Sequence, residues 1–189
     1  DPVPFPYYTE RLDLELELGI IIGKQGSNLT FEEAKDHIAG YTILIDPSCR
    51  DGYKREPFGP NKRKDFCTPM GPCLVTADEI NERDIECSLT VEGETWWEGN
   101  TGEPRSFWAE HLVAYVSDNE TIYAGDVIGT GTIGMGCSMD LHKWPQVGQQ
   151  MTFTMAGIGS MTLEIVKGVD RVRHVEGMPG LIDYPGEDK

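Results

Sequence analysis

The chain has 189 residues, 39% hydrophobic and 25% charged, enough for one domain with a substantial core. Its 32 acidic residues against 16 basic ones leave a net charge of −16, which repels phosphate backbones and anionic bilayers and argues against nucleic acid or a membrane as partner. No apolar stretch approaches the ~20 residues that cross a bilayer.

The opening DPVPFPYY is proline-rich and reads as extended chain. From Leu12 the sequence runs L-D-L-E-L-E-L, a strict period of two that continues through Gly19-Ile20-Ile21-Ile22-Gly23, and predicts a long strand. GKQGSN is a turn. Thr30 is placed as the N-cap of a short helix over FEEAKDHIAG, with Glu32 and Glu33 in its first turn and Gly40 as its stop. Tyr41–Ile45 predicts a second strand, and the polar, basic stretch 50–65 a loop. Further strands are predicted near 72–76, 85–91 and 94–97, with a turn at Val91-Glu92-Gly93-Glu94. A helix is expected over 106–117, then strands at 126–129, 151–155 and 161–166, the last two joined by GIGSM. The tail from Val175 reads as an extension. The 22 glycines and 12 prolines fit this turn-rich, β-dominated pattern.

Strand alternation points Leu12, Leu14, Leu16 and Leu18 one way and Asp13, Glu15 and Glu17 the other. Carboxylates two residues apart lie about 6.5–7 Å from one another along a strand. At an effective dielectric near 20 they repel by roughly 2–2.5 kcal/mol. A hard divalent cation relieves that repulsion, because Mg²⁺ accepts oxygen ligands from a few carboxylates; taken alone, the run reads better as an edge or surface strand charged against aggregation. Asp46, ending the YTILID strand ahead of P-S-C-R-D, adds a carboxylate at a strand end, where sites are commonly built. Five cysteines, with no CxxC pair and no zinc spacing, read as reduced thiols in a cytoplasm.

Taken in order, L-E-L-E-L-G-I-I-I-G-K, H-I-A-G-Y-T-I-L-I-D-P-S-C-R-D, K-D-F-C-T-P-M-G-P-C-L-V-T and A-G-D-V-I-G-T-G-T-I-G resemble the fumarylacetoacetate hydrolase superfamily over about residues 10–167. The resemblance implies a mostly β (α+β) fold, a mixed β-sandwich or pseudo-barrel roll with a few short helices. It implies a catalytic domain over 1–170 followed by an extension over 171–189, a homodimer, and Mg²⁺, or alternatively Mn²⁺ or Ca²⁺, held by Glu15, Glu17 and Asp46, with Asp13 a spectator. It further implies Arg50 and Lys64 at the substrate, with Lys62 the fallback lysine, and Thr130, Gly131 and Thr132 as a substrate-binding loop. Asp140 stands where one branch has a glutamate partner of its catalytic histidine.

Departures accompany the match. Pro47 and Cys49 replace the usual residues of the D-x-S-A-R-D motif, and Tyr53 stands at a substrate-side position where the hydrolase branch has glutamine. The acid/base histidine segment of the family is expected upstream of Asp1, and His37, His111, His142 and His174 do not occupy its position. The expected activity is metal-dependent cleavage of a C–C bond in a small anionic 2-oxo or 1,3-diketo acid by hydrolysis, through a stabilised enolate. Decarboxylase, hydratase or dehydratase and isomerase activities of the same family, or a catalytically silent binding domain, are the alternatives.

Overall fold

The computed structural model describes residues 2–51, 63–102 and 107–169. The alternating run forms β2 (Leu12–Ile22), an eleven-residue strand that pairs antiparallel with β4 (Ile38–Cys49) along almost its whole length. β2 is also flanked by β9 (Val127–Gly129), and β4 by β5 (Met70–Thr76), giving a four-stranded sheet in the order β5-β4-β2-β9. A five-stranded sheet runs β1 (Val3–Phe5), β11 (Gly159–Lys167), β10 (Gln150–Met155), β6 (Glu86–Val91), β7 (Glu94–Asn100). β3 (Gly26–Ser27) and β8 (Thr121–Ile122) form a small separate ribbon.

One core lies between the two larger sheets. Leu12, Leu14, Leu16, Leu18 and Ile20 of β2 are fully buried, and the same cluster takes in Ile43 and Ile45 of β4, Leu89 of β6, Phe153 of β10 and Ile165 of β11. Burying a leucine or phenylalanine side chain contributes about 1.5–3 kcal/mol, so the leucine face alone commits β2 to this orientation. The helices are short: α1 (Phe31–Lys35), α2 (Ala109–Val116) and α3 (Ser138–Leu141). None of the described helices is long and apolar enough to cross a membrane.

The mostly β fold agrees with the sequence reading, and several boundaries move. α1 starts at the predicted cap, where Thr30 accepts from the Glu33 N–H and the Glu33 carboxylate accepts from the Thr30 N–H. It ends at Lys35 rather than running to Gly40, because Ile38 to Gly40 extend β4 against β2. Gly40 is therefore a strand glycine. A Cβ there would sit 2.1 Å from the Val75 carbonyl oxygen, so the position lets β4 and β5 approach closely. The proline-rich opening is β1, a parallel partner of β11, and α3 was not foreseen. The Glu92-Gly93 turn forms as predicted, with both residues at positive φ between β6 and β7.

Asp46 does not end its strand. β4 continues to Cys49, and Asp46 lies directly opposite Glu15 on β2. The proline after it is tolerated because the β4–β5 pairing stops at Leu44, leaving that side of β4 an edge. Pro47 faces Leu14, and Cys49 faces Leu12. Both departures from the motif thus lie on the leucine face of the sheet, away from the carboxylates.

Candidate metal centre

Along its carboxylate stretch β2 pairs with β4 on one side and is hydrogen-bonded at Leu16 and Leu18 by residues 130–136 on the other, so it is not a solvated edge: Asp13 is fully buried, Glu15 is 9% exposed and Glu17 6%. Register brings Asp46 across from Glu15, and one carboxylate oxygen from each of Glu15, Glu17 and Asp46 lies within 4.8 Å of the others. Alternation continues along β4, placing Asp46 and Ser48 on the same face, with Arg50 two residues past Ser48. This period-two spacing was a signal for Ser48 that the sequence reading did not use.

Glu15 is the hub of the cluster. Its Oε2 accepts from Lys64 Nζ at 2.6 Å and Ser48 Oγ at 2.9 Å, and its Oε1 accepts from Thr132 Oγ1 at 2.5 Å and faces Arg50 Nη2 at 2.8 Å. These donors match the roughly four lone-pair directions a carboxylate offers. Burial disfavours the Glu15 charge, but the hydrogen bonds from Lys64, Thr132 and Arg50 outweigh it and hold the pKa down to about 2. Lys64 also pairs with Asp46. Burial works against its charge as well, and Asp46 and Glu15 together raise its pKa.

Glu17 has the opposite balance. Burial pushes its pKa up to about 7, with the Asp46 and Glu15 charges adding to the effect and the Gly131 N–H, 3.0 Å from Oε2, opposing it. Gly129 leaves room for it: a Cβ there would lie 2.3 Å from Glu17 Oε2 and displace that oxygen. Of the predicted loop residues, Gly131 adopts φ +82° and turns its N–H toward Glu17, and the Thr132 hydroxyl reaches Glu15. The Thr130 hydroxyl instead accepts the Leu18 N–H at 3.1 Å, so it serves the edge of β2 rather than the cluster.

Arg50 joins the cluster through Asp13 and Glu15. Its Nε donates to Asp13 Oδ2 at 2.8 Å, and its Nη2 lies 2.7 Å from the same oxygen. Asp13 stays outside the three clustered carboxylates and pairs with Arg50 instead. Asp140 is not brought in: it sits on α3, where its carboxylate accepts from the Cys137 thiol at 3.3 Å, and among the described residues no hydrogen bond or ion pair ties it to the carboxylate cluster. Tyr53 and Lys62 lie outside the described residues, as does His174. His37 is held by the Glu33 carbonyl and His111 packs edge-on against Phe31, both in the α1–α2 region.

Three clustered carboxylates with hard oxygen donors, two of them strongly buried, fit a hard divalent cation and are poorly suited to a soft one. Fold and site together define the class: a β-rich domain with a three-carboxylate centre ringed by an arginine and a lysine. A sequence model of the fumarylacetoacetate (FAA) hydrolase C-terminal domain matches residues 1–166, and the chain belongs to that family.

Among its relatives, the oxaloacetate tautomerase YisK of Bacillus subtilis (strain 168) is 36% identical over 160 residues, covering 83% of this chain and 53% of the relative. The mitochondrial oxaloacetate tautomerase FAHD2A of Homo sapiens is 38% identical over 136 residues, covering 70% of this chain and 43% of the relative. The chain spans about half the length of these curated relatives. Among solved structures, a fumarylacetoacetate hydrolase from psychrophilic Exiguobacterium antarcticum superposes with a TM-score of 0.78 at 34% identity, covering 89% of this chain and 61% of that one. A fumarylpyruvate hydrolase from Pseudomonas aeruginosa, in complex with Mn²⁺ and pyruvate, gives 0.74 at 26% identity, covering 88% and 70%.

Proposed function

We propose that this domain binds Mg²⁺ or Mn²⁺ through Glu15, Glu17 and Asp46 and interconverts the keto and enol forms of a small 2-oxo acid of the oxaloacetate type. The observation that carries the reading is the convergence of three carboxylates on one buried face with two cationic side chains beside them. A hard cation there supplies Lewis-acid stabilisation of the negative charge that develops on substrate oxygens. The relatives YisK and FAHD2A are named as oxaloacetate tautomerases, which favours proton transfer over bond cleavage as the reaction.

The chain's own residues have distinct tasks in this reading. Glu15, Glu17 and Asp46 hold the cation. Arg50, kept charged because Glu15 and Asp13 overcome the effect of its burial, presents a planar fork to a substrate carboxylate. Lys64 is the most exposed of the groups around Glu15, with 44% of its side chain accessible, and it yields its place between Glu15 and Asp46 to the cation and turns to the substrate. Thr132 holds one Glu15 oxygen in place, and Gly131 does the same for Glu17 through its N–H.

Hydrolysis of an acylpyruvate at its C–C bond is the second reading, favoured by the likeness to the fumarylpyruvate and fumarylacetoacetate hydrolases. Both pass through an enolate of the 2-oxo acid: in tautomerisation it forms by loss of the C3 proton, and in hydrolysis it is the leaving group released after activated water adds to the distal carbonyl. The deciding experiment follows oxaloacetate keto–enol exchange and acylpyruvate consumption with the Mn²⁺-loaded protein, beside Glu17→Gln. Accelerated exchange that is lost in the variant supports the tautomerase; acylpyruvate consumption with stoichiometric pyruvate release supports the hydrolase. Failure of the folded protein to bind Mg²⁺ or Mn²⁺ in calorimetry overturns both.

A further inference from the structure

We infer that Asp13, which lies outside the three-carboxylate set, is the positioning residue that aims Arg50 at the substrate. Asp13 is fully buried on β2, and an unpaired carboxylate so placed would cost several kcal/mol. Among the described residues, the contacts of its carboxylate serve alignment. Oδ2 takes the Nε–H and faces Nη2 of Arg50, engaging one edge of the guanidinium, while Oδ1 accepts the Ser138 N–H at 2.6 Å. The carboxylate thereby ties together β2, the end of β4 and the start of α3, and fixes the plane of the guanidinium as well as its position.

A second consequence concerns charge. Arg50 Nη2 lies 2.8 Å from Glu15 Oε1, so Glu15 and Asp13 share one guanidinium. Without Asp13, Arg50 would turn fully onto Glu15, its remaining carboxylate partner in the cluster, and withdraw its fork from the substrate side. Asp13 thus competes with Glu15 for the arginine, and the competition holds the guanidinium between the two carboxylates. The backbone supports the same alignment, since the Arg50 N–H donates to the Arg11 carbonyl at 3.0 Å and Asp51 holds the Glu10 N–H at 2.9 Å.

This inference rests on the cation reading above, and its test separates the two. Mn²⁺ affinity is measured first by calorimetry, then the affinity of the Mn²⁺-loaded protein for oxalate, in wild type, Asp13→Asn, Arg50→Gln and the double variant. Asp13→Asn is expected to weaken oxalate about 10-fold while changing Mn²⁺ affinity by less than about threefold. The double variant should bind oxalate no more weakly than Arg50→Gln alone, because one substitution acts through the other. Additive losses, or unchanged oxalate affinity in Asp13→Asn, overturn the positioning role while leaving the cation site standing; wild-type protein that binds no Mn²⁺ overturns both. Should Asp13→Asn not fold, the wild-type Arg50 Nε–H decides: the inference requires it to exchange with solvent more slowly than the Nε–H of exposed arginines and to shift on oxalate addition, and exchange at the exposed rate overturns it.

Discussion

Glu17 and Glu15 share a strand face and respond oppositely to pH. The Glu17 pKa is raised from 4.5 to about 7, so in the metal-stripped protein the folded state holds a proton that the unfolded state releases, and stability falls as pH rises through that window. Glu17→Gln should make the metal-stripped protein more stable at pH 8 by about 2 kcal/mol while removing cation binding, measured by urea unfolding and calorimetry side by side. For Glu15 the sign reverses. Its pKa is lowered from 4.5 to about 2, so its contribution is present above 4.5 and is lost as pH falls toward 2. Acid unfolding of Glu15→Gln should accordingly depend less on pH between 4.5 and 2 than that of wild type. Gly129→Ala should lower Mn²⁺ affinity by roughly 10-fold or more, because its Cβ would occupy the space of Glu17 Oε2. Retention of wild-type affinity would show that Glu17 has another place to go.

At the scale of elements, the β2–β4 pair is the frame of the site. Its register sets Glu15 against Asp46 and Asp13 against Ser48, and slipping by one residue would send the leucines to the cluster and the carboxylates to the core. Close approach of β5 to β4 depends on Gly40. Gly40→Ala should destabilise the fold by about 2–4 kcal/mol, seen as a lower urea midpoint at constant m-value. The helices matter less: Thr30→Ala removes the cap of α1 and should cost about 1 kcal/mol. Element type was legible in the sequence for β2, β6, β10 and β11 because alternation and turn residues are local. α1 was read too long because the pattern after Lys35 is compatible with either state, and pairing with β2, which the local pattern does not carry, settles it as strand.

For the molecule as a whole, a cation held by the cluster would link binding to folding, since the cluster exists only when β2, β4 and the 129–132 stretch are assembled. Mn²⁺ at about 100 times its Kd should stabilise the protein by about 2.7 kcal/mol. That corresponds to a rise of roughly 5–10 °C in Tm for a domain of this size, and Glu17→Gln should show none of it. The sequence by itself determined the β-rich class, the leucine face and the pairing of Glu15 with Glu17 on the opposite face, because period-two alternation is a property of neighbouring residues. Asp46, Arg50 and Lys64 were indicated only by the resemblance of their motifs to a known family, since no local pattern marks them. Only the tertiary structure decided that Asp46 lies mid-strand against Glu15, that Thr132 rather than Thr130 reaches the cluster, that Asp140 does not, and that Asp13 holds Arg50. The contacts among them join residues 31, 37 and 117 positions apart, and only the packing of one segment against another brings such residues together.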